Sequence, residues 1–107
     1  MLMPYSSQWA AETATRPQLE ALEETMVIEF GADWCPHCQA IQPVLKELLH
    51  DNVDISHLKI EDGKGRPLGR SFAVKLWPNF VLLKEGELVE QLARPSEEEL
   101  RAALARL

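Results

Sequence analysis

The segment FGADWCPHCQA, residues 30–40, restricts the fold more than any other part of the chain, because it contains the only two cysteines, Cys35 and Cys38. The residues before it, 26–30, are nearly all apolar, which is typical of a strand covered on both faces. After it, from residue 36 to residue 50, apolar residues recur at i, i+3, i+4, i+7 and i+8, a pattern that predicts an amphipathic helix. The cysteine pair is therefore expected at a junction between a buried strand and a helix.

Prolines and capping residues mark the limits of the helices and strands. Pro36 suits the first turn of the helix that follows the pair, where a missing N–H costs nothing, and Pro43 is expected to kink that helix. The other predicted elements are a short leading strand near Trp9, a helix at about 17–24 capped by Thr15, a strand at 53–60, a short helix at 68–72, a hairpin of strands 80–84 and 88–92, and a last helix capped by Ser96.

The order of these elements, α-β-α-β-α-β-β-α, indicates the fold class. The first two confident strands are joined through a helix and are expected to be parallel, whereas the last two form an antiparallel hairpin. We therefore predict an α/β fold with a central mixed sheet of four to five strands and helices on both faces. The 107 residues fit a single domain, in which residues 1–15 form a poorly defined N-terminal segment.

Charge and hydropathy exclude several classes of partner. The chain carries 11 basic and 17 acidic side chains, a net charge of −6, which argues against nucleic acid and against anionic membrane surfaces. Apolar runs are far shorter than the ~20 residues of a membrane span. The N-terminus lacks a charged stretch followed by an apolar one, so we expect a cytoplasmic protein, or a periplasmic one if a signal peptide has been removed. We also expect a monomer.

The position of the cysteine pair predicts redox chemistry. A helix N-terminus presents free backbone N–H groups and partial positive charge, which stabilise a thiolate on Cys35, and the thiolate is the attacking species. A protonated His37 would add positive charge beside it. Cys38, one turn into the helix and more buried, suits the resolution of a mixed disulfide. Such a dithiol carries two electrons itself and needs no cofactor.

Other uses of the two cysteines remain open. A structural disulfide across so short a loop would stabilise little. A c-type haem site requires histidine directly after the second cysteine, where this chain has Gln39. A zinc site could combine the cysteines with His50 and His57, but the spacing is irregular and no metal is expected; we interpret both histidines as ordinary surface residues.

Glu29 is the one charged residue in the apolar strand before the pair. A buried carboxylate is costly unless it is paired or protonated, and burial favours the protonated form. We therefore expect Glu29 to accept the proton of Cys38 during exchange.

Two segments carry a family resemblance. IEFGADWCPHCQAIQPVLKEL resembles the active-site segment of thioredoxins and protein disulfide isomerases, and LWPNFVLLKEGELVEQL resembles their later segment, in which a cis-proline precedes the hairpin. The resemblance runs from about Thr25 to the C-terminus. It implies the thioredoxin fold and a thiol–disulfide oxidoreductase that acts on protein dithiols or disulfides together with a redox partner, which the sequence does not identify.

The resemblance also implies residue roles. Cys35 would be the nucleophile and Cys38 the resolving thiol, with Glu29 as the buried acid beneath it. The expected supporting and substrate-binding residues are Lys59 near that acid, Trp34 and Pro36 beside the cysteines, Pro78 as the cis-proline, and Trp77 before it.

Some positions depart from the thioredoxin pattern. Pro36-His37 is the dipeptide of DsbA-type oxidants, Gly31 replaces a usual tryptophan, and Ala93-Arg94 replaces a glycine-bearing turn. The direction of electron flow is therefore left open. The rival interpretation is a redox-inert or regulatory module in which Trp34, Trp77 and the cis-proline groove hold an extended partner strand.

Overall fold

The computed structural model describes Trp9, residues 15–52 and residues 54–107, and within them the elements follow the predicted order. The helices are α1 (Arg16–Glu20), α2 (Pro36–His50), α3 (Pro67–Ser71) and α4 (Glu97–Ala105), and the strands are β1 (Thr25–Gly31), β2 (Ile55–Glu61), β3 (Asn79–Lys84) and β4 (Glu87–Ala93).

The four strands form one mixed sheet in the order β2-β1-β3-β4. β1 and β2 are parallel, with Glu29 opposite Lys59, and β3 runs antiparallel to β1. β3 and β4 form the predicted hairpin, whose register shifts between Leu82 and Leu83. The fold class predicted from the sequence is confirmed. A leading strand near Trp9 lies largely outside the described residues, and Trp9 itself is in neither helix nor strand.

Alternation along β1 divides the core between the two faces of the sheet. Odd-numbered β1 residues such as Val27 face α2 and α4, and even-numbered ones such as Ile28 face α1 and α3. Both faces are covered, which explains why β1 is apolar almost throughout. Glu29 lies on the α2 face, so its carboxylate is buried between the sheet and the helix that begins at the cysteine pair.

The ends of the helices follow the predicted capping residues. Thr15 and Ser96 each close a capping box, the second with Glu99, and three glutamates occupy the first turn of α4. α1 is shorter than predicted and ends at Glu20. α2 has the predicted bounds, and Pro43 lies inside it without ending it. Val53, predicted to begin the second strand, lies outside the described residues.

None of the helices in the described residues is long and apolar enough to cross a membrane.

Candidate active site

The cysteine pair lies where β1 leads into α2. Cys35 is the N-cap of α2 and its carbonyl accepts the first helical hydrogen bond, from Gln39 N at 2.9 Å. The Gln39 side chain also holds the preceding turn, because its Nε2 donates to the carbonyl of Asp33 at 2.7 Å. Both cysteines are free thiols and both are largely buried. The local sequence therefore places the pair at the electropositive end of a 15-residue helix.

The surroundings of Cys35 favour its thiolate. Burial raises the pKa of this thiol, but hydrogen bonds from the backbone N–H and thiol of Cys38 and from the backbone N–H of His37, together with the charge of Arg94, outweigh burial and hold the pKa below its usual value. Hydrogen bonds from the first turn of α2 are the main stabilising contribution. Cys35 is therefore the better nucleophile of the two.

The surroundings of Cys38 have the opposite effect. Burial raises the pKa of the Cys38 thiol to about 12, and the nearby Cys35 sulfur and the negative charge of Glu29 act in the same direction, although a hydrogen bond with the backbone of Ala32 lowers it. Cys38 therefore keeps its proton at neutral pH. To attack a mixed disulfide it must pass that proton to another group.

A hydrogen-bonded network of buried side chains lies beneath Cys38. Glu29 is fully buried; its Oε1 lies 3.0 Å from His57 Nε2 and its Oε2 accepts from Gln42 Nε2 at 2.7 Å. Gln42 Nε2 also donates to the Cys38 carbonyl at 2.8 Å, and its Oε1 accepts from Lys59 Nζ at 2.7 Å. The donor-only ammonium and the acceptor-only carboxylate fix the orientation of the Gln42 amide between them.

One sequence prediction changes in this network. The prediction that His57 is an ordinary surface residue is wrong, because on β2 it alternates onto the α2 face of the sheet and its side chain is fully buried against Glu29. Lys59, expected near Glu29, lies opposite it in the register; its Nζ donates to Gln42, which in turn donates to Glu29. His50 is exposed at the far end of α2, ~20 Å along the helix from the cysteines.

Trp9 and Gly31 pack closely beside Cys38. A Cβ on Gly31 would lie 2.5 Å from Cys38 Sγ and 2.9 Å from the Trp9 ring, so only glycine leaves room for both. Lys59 Nζ lies 4.7 Å from the Trp9 ring centroid, a cation–π contact. Burial lowers the pKa of Lys59, whereas Glu29 and Cys38 oppose that effect.

Two tryptophans form an aromatic surface beside Cys35. Trp34 and Trp77 meet edge to face, with ring centroids 5.5 Å apart, and Trp34 is 69% exposed. Trp77 Nε1 donates to Asp62 Oδ2 at 2.9 Å, which fixes the indole. The Trp77-Pro78 peptide bond is cis, and Pro78 is buried. We refer to Trp34, Trp77 and the neighbouring exposed Leu76 as the aromatic surface.

Arg94 is a site residue that the sequence analysis did not identify. Its φ of 47° lies in the left-handed region, its N–H donates to the Pro78 carbonyl at 2.7 Å, and its Nε donates to the Trp77 carbonyl at 2.8 Å. It thereby bonds both residues of the cis-proline dipeptide and brings its charge to Cys35. The sequence analysis noted Ala93-Arg94 only as the replacement of a glycine-bearing turn, and the contacts of the arginine side chain depend on how the loop after β4 folds back.

The sequence analysis also did not identify Gln42 and His57 as site residues, although the spacing of each from a predicted site residue indicates a shared face. Gln42 is four residues after Cys38 on a helix, hence on the same face, and His57 is two residues before Lys59 on a strand, hence also on the same face. The side chains of Pro36 and His37 are exposed beside the pair. The contribution of His37 to Cys35 comes from its backbone N–H, and the role of its imidazole stays a prediction.

Across the described residues, the structure brings together no group of three or more His, Cys, Asp or Glu side chains that could hold a metal ion.

Comparisons with known proteins agree with this geometry. The thioredoxin family model matches residues 8–106. The chain is 33% identical over 90 residues to thioredoxin H3 of Arabidopsis thaliana, covering 81% of this chain and 76% of that protein. It is 34% identical over 79 residues to thioredoxin-1 of Caenorhabditis elegans, covering 74% and 69%. The solved structure of thioredoxin 2 from Pseudomonas aeruginosa PAO1 in its reduced form matches with a TM-score of 0.79 and 44% identity, covering 96% of this chain and 100% of that chain.

Proposed function

This chain belongs to the thioredoxin family and is a thiol–disulfide oxidoreductase, and we propose that its reduced form acts as a reductant of protein disulfides, with Cys35 as the attacking thiol and Cys38 as the resolving thiol. The observation that carries the assignment is that the pKa values of the two thiols are shifted in opposite directions. The pKa of Cys35 is held below its ordinary value, whereas the pKa of Cys38 is raised to about 12. Cys35 is therefore the thiol that forms the attacking thiolate, whereas Cys38 stays protonated until the mixed disulfide has formed.

The reaction then has two balanced steps. The Cys35 thiolate attacks one sulfur of the substrate disulfide, forming a mixed disulfide and releasing the other substrate sulfur as a thiolate, which takes a proton from water. Cys38 passes its proton to the nearby carboxylate of Glu29, from which it returns to solvent, and the Cys38 thiolate attacks Cys35 Sγ. The Cys35–Cys38 disulfide forms, the second substrate thiolate leaves, and two electrons have passed from the protein to the substrate.

Substrate docking is proposed for the aromatic surface. Exposed Trp34 and half-buried Trp77 present large apolar area beside Cys35, the composition expected at the centre of a protein interface. The cis Trp77-Pro78 bond stands at the start of β3, where an extended substrate segment could run alongside the site. The redox-inert alternative is not favoured, because the curated relatives and the solved structure named above are thioredoxins.

The cellular location and the oligomeric state of the protein are further parts of the proposal. We propose a monomer in the cytoplasm, a compartment whose thiol pool would keep the Cys35–Cys38 pair available as a reductant. Gel filtration of the reduced protein and cell fractionation test these two points. A periplasmic location would instead favour a role of the protein as an oxidant of protein dithiols.

Insulin reduction in the presence of dithiothreitol tests the proposed activity. The wild-type protein should accelerate precipitation of the insulin B chain, Cys35→Ser should not, and His50→Gln, a change at an exposed site remote from the cysteines, should match wild type. Equal activity of wild type and Cys35→Ser would contradict the proposal. The reduction potential of the pair then decides direction: a value near −270 mV supports a reductant and one near −120 mV an oxidant, about the potentials of thioredoxin and DsbA.

A further inference from the structure

A group of basic side chains lies next to the aromatic surface. Residues 62–77 carry four basic side chains and one acidic one, a net charge of +3, in a chain whose net charge is −6. A pocket of about 250 Å³ that includes Trp77 is lined by three of these basic residues, namely Arg66, Arg70 and Lys75. The pocket therefore presents positive charge in a protein that is acidic as a whole.

The arginines beside Trp77 differ from most others in the chain. Of the six arginines, four form an ion pair with a glutamate side chain. Among the described residues, Arg70 and Arg94 form no ion pair; Arg70 lines the pocket with Trp77, and Arg94 Nε donates to the Trp77 carbonyl. Lys75 is exposed and also has no carboxylate partner in the part of the chain that the structure describes. These cations are available to a carboxylate that a partner supplies.

Asp62, the acidic residue of the pocket lining, is held by contacts within the protein. Its Oδ2 accepts from Trp77 Nε1 at 2.9 Å, and its backbone N–H donates to the Gly31 carbonyl at 2.9 Å. Its carboxylate also packs so closely against Gly69 that a Cβ on that glycine would clash with it. The pocket wall is thereby fixed to the end of β1, from which the chain leads to Cys35.

We propose that the pocket is a subsite for an acidic side chain of the protein substrate, a few residues from the cysteine that Cys35 attacks. The inference rests on the proposed function and narrows its substrate class. Trp34 adjoins Cys35 in the chain, and its ring centroid lies 5.5 Å from that of Trp77, which lines the pocket. A substrate segment therefore needs about two to four extended residues, at roughly 3.3 Å each, to reach from Cys35 to the pocket.

Size and charge select an acidic side chain as the occupant. Small-molecule sites usually measure about 300–1,000 Å³ and enclose most of their ligand. The pocket beside Trp77, at about 250 Å³, is smaller than such sites. The guanidinium of Arg70 can bind both oxygens of a carboxylate, and the ammonium of Lys75 adds a second positive charge. The tryptophans then contact apolar neighbours of the substrate cysteine, and the cations form a charged rim, as at many protein interfaces.

Peptide disulfides that release a coloured thiolate test the proposal. Three short peptides carry a central cysteine in a disulfide with thionitrobenzoate and differ only in the residues on both sides, which are glutamate, glutamine or lysine. Attack of the Cys35 thiolate on the peptide sulfur joins the peptide to Cys35 and releases thionitrobenzoate as a thiolate, whose absorbance gives the rate. Each rate is divided by the rate of the same peptide with dithiothreitol, which corrects for the intrinsic reactivity of the peptide.

We expect the wild-type protein at low ionic strength to react about tenfold faster with the glutamate peptide than with the glutamine peptide, and slowest with the lysine peptide. The double variant Arg70→Gln, Lys75→Gln should reduce this preference to about twofold, with the remainder due to Arg94. The double variant Lys46→Gln, Lys84→Gln changes the net charge equally at exposed positions that do not line the pocket, and it should keep the preference. Added salt should weaken the preference of the wild-type protein.

Several results would overturn the inference. Equal corrected rates of the wild-type protein with the glutamate and glutamine peptides, or an unchanged preference in the Arg70 and Lys75 double variant, would do so. An equal loss of preference in the Lys46 and Lys84 control would show that overall charge, and not the pocket, attracts the peptide. A dimer at low salt that dissociates in the pocket variant would assign the pocket to an acidic segment of a second copy. A wild-type protein no faster than Cys35→Ser with every peptide would instead contradict the proposed function itself.

Discussion

Arg94 Nε donates a hydrogen bond to the carbonyl oxygen of Trp77 at 2.8 Å, and the Arg94 backbone N–H donates to the next carbonyl, that of Pro78, at 2.7 Å. Arg94 adopts φ = 47°, a conformation that is uncommon for residues other than glycine. A single residue after β4 therefore holds the cis-proline dipeptide and places a positive charge near Cys35.

Removing that charge should make Cys35 less reactive. Arg94→Gln is expected to raise the pKa of the Cys35 thiol, so less thiolate is present at neutral pH and alkylation by iodoacetamide slows, by up to about fivefold at low salt because the arginine is exposed. Arg94→Lys keeps the charge and serves as the control. Added salt should slow wild type toward the rate of Arg94→Gln. Identical rates for wild type and Arg94→Gln, without any dependence on salt, would show that the charge has no effect.

Gly31 should tolerate no side chain. Gly31→Ala places a Cβ 2.5 Å from Cys38 Sγ and 2.9 Å from the Trp9 ring, so we expect the protein to lose about 1–3 kcal/mol of stability, the usual cost of overpacking. Urea unfolding of the reduced protein measures the loss.

A double-mutant cycle separates the two contacts of Gly31. In a Cys38→Ala background the closer contact is gone, and Gly31→Ala should then cost clearly less. If the cost is the same in both backgrounds, the limiting contact is Trp9 and not the resolving sulfur.

Trp77 should affect substrate choice more than stability. Trp77→Ile removes the edge-to-face contact with Trp34 and the hydrogen bond to Asp62, and thereby changes the shape of the aromatic surface beside Cys35. We expect kcat/KM to change unequally among several protein disulfides while Tm changes little. Trp77→Phe, which keeps an aromatic ring but loses the hydrogen bond, separates the two contributions. An equal loss of activity toward all substrates would indicate a general effect on the cysteine pair.

The fold could be predicted from the sequence because its signals are local. The apolar run of β1, the apolar spacing of α2 and the capping residues Thr15 and Ser96 each depend on neighbours in the chain, and the structure reproduces them. The position of the cysteine pair follows from the same two elements. The end of α1 was harder to predict, because a five-residue helix depends on tertiary packing more than on propensity.

The partners of the buried acid could not be predicted in the same way. Glu29 was expected to be buried because it interrupts an apolar strand, but whether His57 or Lys59 bonds it depends on the register between β1 and β2. His57 was misread because its spacing of two from Lys59 shows that they share a face of the strand, but not that this face is the buried one beside Glu29, which depends on the register. Arg94 reaches the site only through the fold of a loop, which leaves no periodic pattern in the sequence.

The pH dependence of alkylation at each cysteine of the reduced wild-type protein, resolved by peptide mass spectrometry, tests the central claim most directly. The account predicts that Cys35 reacts with a midpoint below the ordinary thiol value of 9.0, while Cys38, with its pKa raised to about 12, stays unmodified over the same range. Two cysteines that react together, or a Cys35 that titrates like a thiol in an unstructured peptide, would contradict the division of roles between them.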